Sequence, residues 1–83
     1  MRYLISYDLR APGKNYEPLW KALRELGALR VLESEWVVRR TDTTPMGLAT
    51  YVTQFMDDND RLLVTEMPDN YAYRALLADP KAA

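Results

Sequence analysis

The chain of 83 residues contains neither cysteine nor histidine. Without cysteine there is no disulfide framework and no thiolate metal site. Without histidine, the commonest general base and the commonest transition-metal ligand are both missing. A metal held here would sit among oxygens, which points to Mg2+, Mn2+ or calcium rather than zinc. An excess of one charge is lacking too, because 11 basic residues against 12 acidic ones leave a formal net charge of −1. Whole-chain charge therefore does not mark a nucleic-acid binder, whose domains usually carry a positive excess. A local basic patch is still compatible with that balance. No apolar run approaches the ~20 residues of a membrane span, and the chain opens on a strand pattern rather than a leader, so a cytoplasmic protein with no membrane contact is the expectation. A chain this short makes one domain, buries only ~60% of its unfolded surface and gains from dimerising.

What is present is organised around the first strand. From Arg2 to Leu9 the residues alternate, Tyr3, Ile5 and Tyr7 on one face and Leu4, Ser6 and Asp8 on the other. Both sets begin apolar, as in a central strand covered on both sides. Pro12-Gly13 signals a turn, and Asn15 offers an oxygen as helix N-cap. Tyr16, Leu19, Trp20, Leu23 and Leu26 then recur at helical spacing, which assigns Trp20 to the core, and Gly27 ends that helix. Leu29 to Leu32 and Ser34 to Arg40 read as two strands joined by a tight or bulged turn at Glu33. Thr44-Pro45 opens a second helix with the stripe Met46, Ala49, Val52, Phe55 and Met56, closed by Asp57-Asp58-Asn59-Asp60. Arg61 to Met67 is a fourth strand.

This order, βαββαβ, is the ferredoxin-like α+β split unit. Right-handed crossovers predict an antiparallel sheet ordered 4-1-3-2 with both helices on one face. The expected organisation is a ferredoxin-like domain over residues 1–67 and a C-terminal tail over 68–83, forming a short helix or an added edge strand. With no cover inside the chain, the opposite sheet face is expected to seek a partner, most simply a second copy in a homodimer.

Asp8 is an unusual charge at the mouth of a central strand. It is either a structural residue, capping the loop or pairing with Arg10 or Arg39, or the start of a site. Arg10, Lys14 and Asn15 precede a helix N-terminus, where free amides favour phosphate. Arg39-Arg40 closes the third strand and would lie near Asp8 if the pairing brings it there. Ser34 has no histidine or lysine partner, which excludes a serine hydrolase. Asp57, Asp58 and Asp60 lack the glycine and terminal glutamate of a calcium loop and read as a helix-ending turn.

Taken together, Tyr7-Asp8-Leu9, the run Gly27 to Trp36 (GALRVLESEW), Thr44-Pro45 and Asp60 to Val64 (DRLLV) resemble the small CRISPR-associated adaptation endonucleases. The same superfamily holds the virulence-associated protein D ribonucleases and stand-alone SinR-like homologues. The resemblance covers residues 1 to about 67 and departs from the family pattern at Glu35, at Trp36 and in the acidic balance. It implies a ferredoxin-like homodimer in which Asp8 faces its symmetry mate and holds Mg2+ or Mn2+ for cleavage of an RNA or DNA phosphodiester. On this reading Asp8 is both catalytic and metal-ligating, with Arg30 and Ser34 nearby and Arg10, Lys14 and Arg39 as phosphate contacts. Other members are non-catalytic and bridge an integrase, so the alternative is a homodimeric module for an integrase-type or antitoxin-type protein partner. Small-molecule sensing in a dimer cleft is a third reading, favoured by no particular residue.

Overall fold

The alternation of the first strand decides the layers of the molecule. The computed structural model describes all 83 residues. Its strands are β1 (Arg2–Asp8), β2 (Leu29–Leu32), β3 (Glu35–Arg39) and β4 (Arg61–Glu66), and its helices are α1 (Glu17–Glu25) and α2 (Pro45–Thr53). They form one antiparallel sheet in the order β2-β3-β1-β4, the expected ferredoxin-like arrangement. Tyr3, Ile5 and Tyr7 of β1 and Trp36 and Val38 of β3 join Leu19 and Leu23 of α1 and Leu48 and Val52 of α2 in a single core. Both helices therefore pack on the same sheet face. Burying each such aliphatic side chain contributes about 1.5–3 kcal/mol before chain entropy is set against it.

Local chemistry sets the helix ends. Asn15 Oδ1 accepts from the Glu17 amide at 3.0 Å, so it caps from one residue before the N-cap position, which Tyr16 occupies without a side-chain bond. Gly27 takes φ +86 at the far end, a left-handed conformation open to glycine, and lets the Ala28 amide return to the Leu23 carbonyl at 3.0 Å. In α2, Thr44 Oγ1 accepts from the Gly47 amide at 3.0 Å, with Pro45 in the first turn. The buried stripe differs from the one read in the sequence. Met46 is 75% exposed, and Leu48, absent from that stripe, faces the sheet beside the expected Val52. Because α2 stops at Thr53, Phe55 and Met56 reach the core from the following turn rather than from the helix.

The second face of the sheet is not bare, contrary to the expectation that no part of the chain covers it. Beyond β4 the tail turns under the sheet. Asp69 and the Tyr71 ring engage the guanidinium of Arg2, which is 4% exposed. The Leu77 amide then reaches the Val31 carbonyl of the β2 edge at 2.9 Å, and Pro80 is buried at the head of a single 3₁₀ turn, Pro80–Ala82. Val37, which points away from the helices because Trp36 and Val38 point toward them, is fully buried on this second face. Cover stops short of the other end of this face, where Asp8, Arg61 and Leu63 stay exposed and Leu63 is 62% accessible.

Candidate functional site

Asp8 closes β1 directly opposite Arg61, the first residue of β4. Its side chain is 60% exposed and accepts no hydrogen bond. Two guanidinium groups stand nearby instead, Arg61 at 3.7 Å and Arg10 at 3.8 Å. At such lengths and exposures an ion pair is worth at most about 1 kcal/mol, so the carboxylate is compensated without being locked. With Ser6, Tyr7, Leu62 and Leu63, Asp8 and Arg61 line a shallow depression at the uncovered end of the sheet.

Of the structural duties expected of Asp8, pairing with Arg10 is present at 3.8 Å, whereas fastening the loop belongs to another residue. Asp60 accepts from the Arg10 amide at 2.6 Å, the Tyr16 hydroxyl at 2.7 Å and the Asp57 amide at 2.8 Å. Tyr16 in turn accepts from the Ala11 amide at 3.2 Å. One half-buried carboxylate thus fastens the β1–α1 loop to the turn before β4. Burial opposes ionisation of Asp60, but the amides of Arg10 and Asp57, the Tyr16 hydroxyl and the charge of Lys14 outweigh it and hold the carboxyl below its ordinary range. Burial, followed by the bond to Asp60, pushes the Tyr16 phenol up.

The other residues singled out in the sequence are dispersed. Lys14 lies in the same loop as Arg10, its ammonium 5.6 Å from the centre of the Tyr16 ring. Ser34 sits exposed in the β2–β3 turn, and its carbonyl accepts from the Tyr7 amide at 3.0 Å, which keeps it at the Asp8 end of the sheet. Arg39 is not near Asp8. It pairs across with Arg2 at the far end of β1, six residues and roughly 20 Å away, and its Nε donates to the Ala83 carbonyl at 3.1 Å. An antiparallel neighbour begins where its partner ends, so the close of β3 faces the start of β1.

Arg30 is also turned away from Asp8. It pairs with Trp36 on the helix-covered face, while Asp8 belongs to the other. Its guanidinium lies 5.0 Å from the Trp20 ring and 5.4 Å from the Trp36 ring, and it donates to the Glu33 carbonyl. The Tyr7 hydroxyl completes this cluster, accepting from the indoles of Trp20 at 3.1 Å and Trp36 at 3.0 Å. Trp20 is therefore a half-buried rim of the core rather than its interior.

For a divalent ion, Asp8 supplies the right donor chemistry, a hard and accessible oxygen free of competing hydrogen bonds. One chain brings one such ligand, since no group of three or more carboxylates gathers anywhere in the molecule. Magnesium sites commonly use one or two carboxylates with water and substrate phosphate filling the remainder, so the donor set fits a site shared between copies or completed by substrate. Arg61 and Asp60 were not among the candidates from sequence. The signal for both was present in the stretch Asp60 to Val64, because pairing β4 with β1 sets Arg61 opposite Asp8 and Asp60 beside the loop. No family model matches the chain, and no solved structure matches it. No helix is long and apolar enough to cross a membrane.

Proposed function

We propose that the chain acts as a homodimeric, divalent-metal-dependent endonuclease whose site is centred on Asp8. The observation that carries this reading is the division of labour at the strand end: Asp60 performs the loop-fastening role, and Asp8 is left exposed with no hydrogen bond to serve. A charge kept exposed at such a place, held only by two long ion pairs to Arg10 and Arg61, is a candidate for chemistry. The resemblance of Tyr7-Asp8-Leu9 and its companion motifs to the CRISPR-associated and virulence-associated nucleases supports the same assignment.

Asp8 would hold Mg2+ or Mn2+ together with the Asp8 of a twofold mate. Bound there, the metal supplies Lewis-acid stabilisation of the charge on a cleaved phosphate. Arg10 and Arg61 exchange their long contacts with Asp8 for phosphate oxygens, which guanidinium groups bind in a matching fork. Lys14 and Ser34, at the same end of the sheet, extend the contact along the backbone of the nucleic acid. The uncovered half-face carries Leu63 between charges of both signs, a composition that suits a self-complementary twofold interface. Arg30 and Arg39 have no part in this site.

The test is cleavage of single- and double-stranded RNA and DNA in Mg2+ or Mn2+ by wild type and Asp8→Ala. Wild type is expected to cleave at least one of these substrates and the variant to lose about a hundredfold or more, with stability held within about 1 kcal/mol because Asp8 accepts no hydrogen bond and its two ion pairs are long and exposed. Equal rates in the two proteins would rule the mechanism out. A second reading, a non-catalytic homodimer for an integrase-type or antitoxin-type partner, is favoured by the outer edge of β4, a six-residue strand with no neighbour on that side. It gains ground if wild type dimerises and cleaves nothing.

A further inference from the structure

The β1–α1 loop and the start of β4 each deliver one arginine to Asp8. A loop ordinarily varies in position more than the strand beside it, and Arg10 is exposed with no side-chain bond shorter than its 3.8 Å contact with Asp8. The loop also carries Pro12-Gly13, with Gly13 in a left-handed conformation at φ +85, so its own backbone does not fix where Arg10 points. Only the Lys14 amide closes on the Ala11 carbonyl, at 3.1 Å.

Two side chains fix the loop: the Tyr16 hydroxyl takes the Ala11 amide at 3.2 Å, and Asp60, far along the sequence, takes the Arg10 amide. Asp60 Oδ1 takes the Arg10 amide and the Tyr16 hydroxyl, and Oδ2 takes the Asp57 amide. Asp60 precedes Arg61 directly, so one carboxylate bonds the backbone of the first arginine and adjoins that of the second. Tyr16 is 8% exposed and anchored in the core, which gives the assembly a rigid base. No other side chain bonds the Arg10 backbone.

We infer that Asp60 is the positioning residue of the candidate site, setting the spacing of Arg10 and Arg61 on either side of Asp8 without touching substrate. This rests on the nuclease reading above for its functional consequence. Its structural half, that the Arg10 backbone is ordered by Asp60, stands on geometry alone. The clamp makes a phosphate-binding pair out of a loop arginine and a strand arginine, and it does so before any ligand arrives, which is where preorganisation lowers the cost of binding.

Three variants separate the parts. Asp60→Ala removes every acceptor, Asp60→Asn keeps one oxygen, and Tyr16→Phe removes one donor while keeping the ring in the core. Backbone 15N relaxation is measured at Arg10 and Asp8, beside cleavage rates at saturating nucleic acid. In Asp60→Ala the Arg10 order parameter is expected to fall from about 0.85 to below about 0.6 while Asp8, held in β1, keeps its value. The cleavage rate falls about tenfold to a hundredfold, with Asp60→Asn and Tyr16→Phe between wild type and Asp60→Ala in both readouts. Preserved order at Arg10 in Asp60→Ala overturns the inference. So does a rate within about twofold of wild type once that order is lost. A wild type that orders Arg10 through Asp60 yet cleaves nothing overturns the nuclease reading instead, leaving the clamp established by relaxation.

Discussion

The hydroxyl of Tyr7 has more work than its position in a core strand suggests. It accepts from the indole N–H groups of Trp20 and Trp36 and donates to the Glu33 carbonyl at 3.3 Å, so three elements meet on one oxygen. Trp36 is 2% exposed, and without that oxygen its buried N–H has no partner. Tyr7→Phe is therefore expected to cost about 1–3 kcal/mol, the usual penalty for an orphaned buried donor. Urea unfolding followed by tryptophan fluorescence checks it: the midpoint falls while the slope stays constant. Arg30 shares this cluster, its guanidinium 5.0 Å and 5.4 Å from the two indole rings, and the same contacts that make it a brace for the β2–β3 turn remove it from Asp8. The neighbouring pair Tyr7 and Asp8 divides the labour of the strand end, one side chain turned inward to structure and the other outward.

At the scale of elements, the strands and helices were legible because periodicity is a local property. The alternation Tyr3-Ile5-Tyr7, the Thr44-Pro45 cap and Gly27 each name their element from a few residues. Register and tail placement depend on contacts distant in sequence, which periodicity does not encode. The end of β3 would lie near Asp8 only under a different pairing, and the antiparallel register takes Arg39 to Arg2. The tail gave no periodic signal because it folds by isolated contacts: Arg2 with Asp69, the Leu77 amide with Val31, and buried Pro80. Asp8 was legible as a site candidate, whereas the residue that frees it, Asp60, was hidden inside an acidic turn motif. Because the tail buries Pro80 and lies against Arg2 and Val31, deleting residues 68–83 is expected to destabilise the domain by at least about 2 kcal/mol, the worth of one buried aliphatic side chain. Chemical denaturation measures this. A truncated chain as stable as the full one would mean that the tail adds nothing to the fold.

Seen as a whole, the molecule has one sheet face closed by two helices and the other closed only at the Arg2 end. The open end holds Leu63, Asp8 and Arg61, and Arg10 lies beside it, so the exposed leucine and the exposed carboxylate lie together. In the proposed homodimer, burial of Leu63 and completion of the site around Asp8 are the same event. Net charge does not draw nucleic acid to the chain, since it is −1. On the nuclease proposal, attraction has to come from the local pair Arg10 and Arg61, with Lys14 behind them, and binding is expected to be correspondingly sensitive to salt. The acidic turn at Asp57 and Asp58 is the competing place for a cation to gather. Paramagnetic broadening of backbone amides by Mn2+ separates the two. With Asp8 as ligand, broadening centres on Tyr7, Asp8 and Leu62 and vanishes in Asp8→Asn. Broadening confined to residues 57–59, or unchanged in Asp8→Asn, would contradict a metal site at the end of β1.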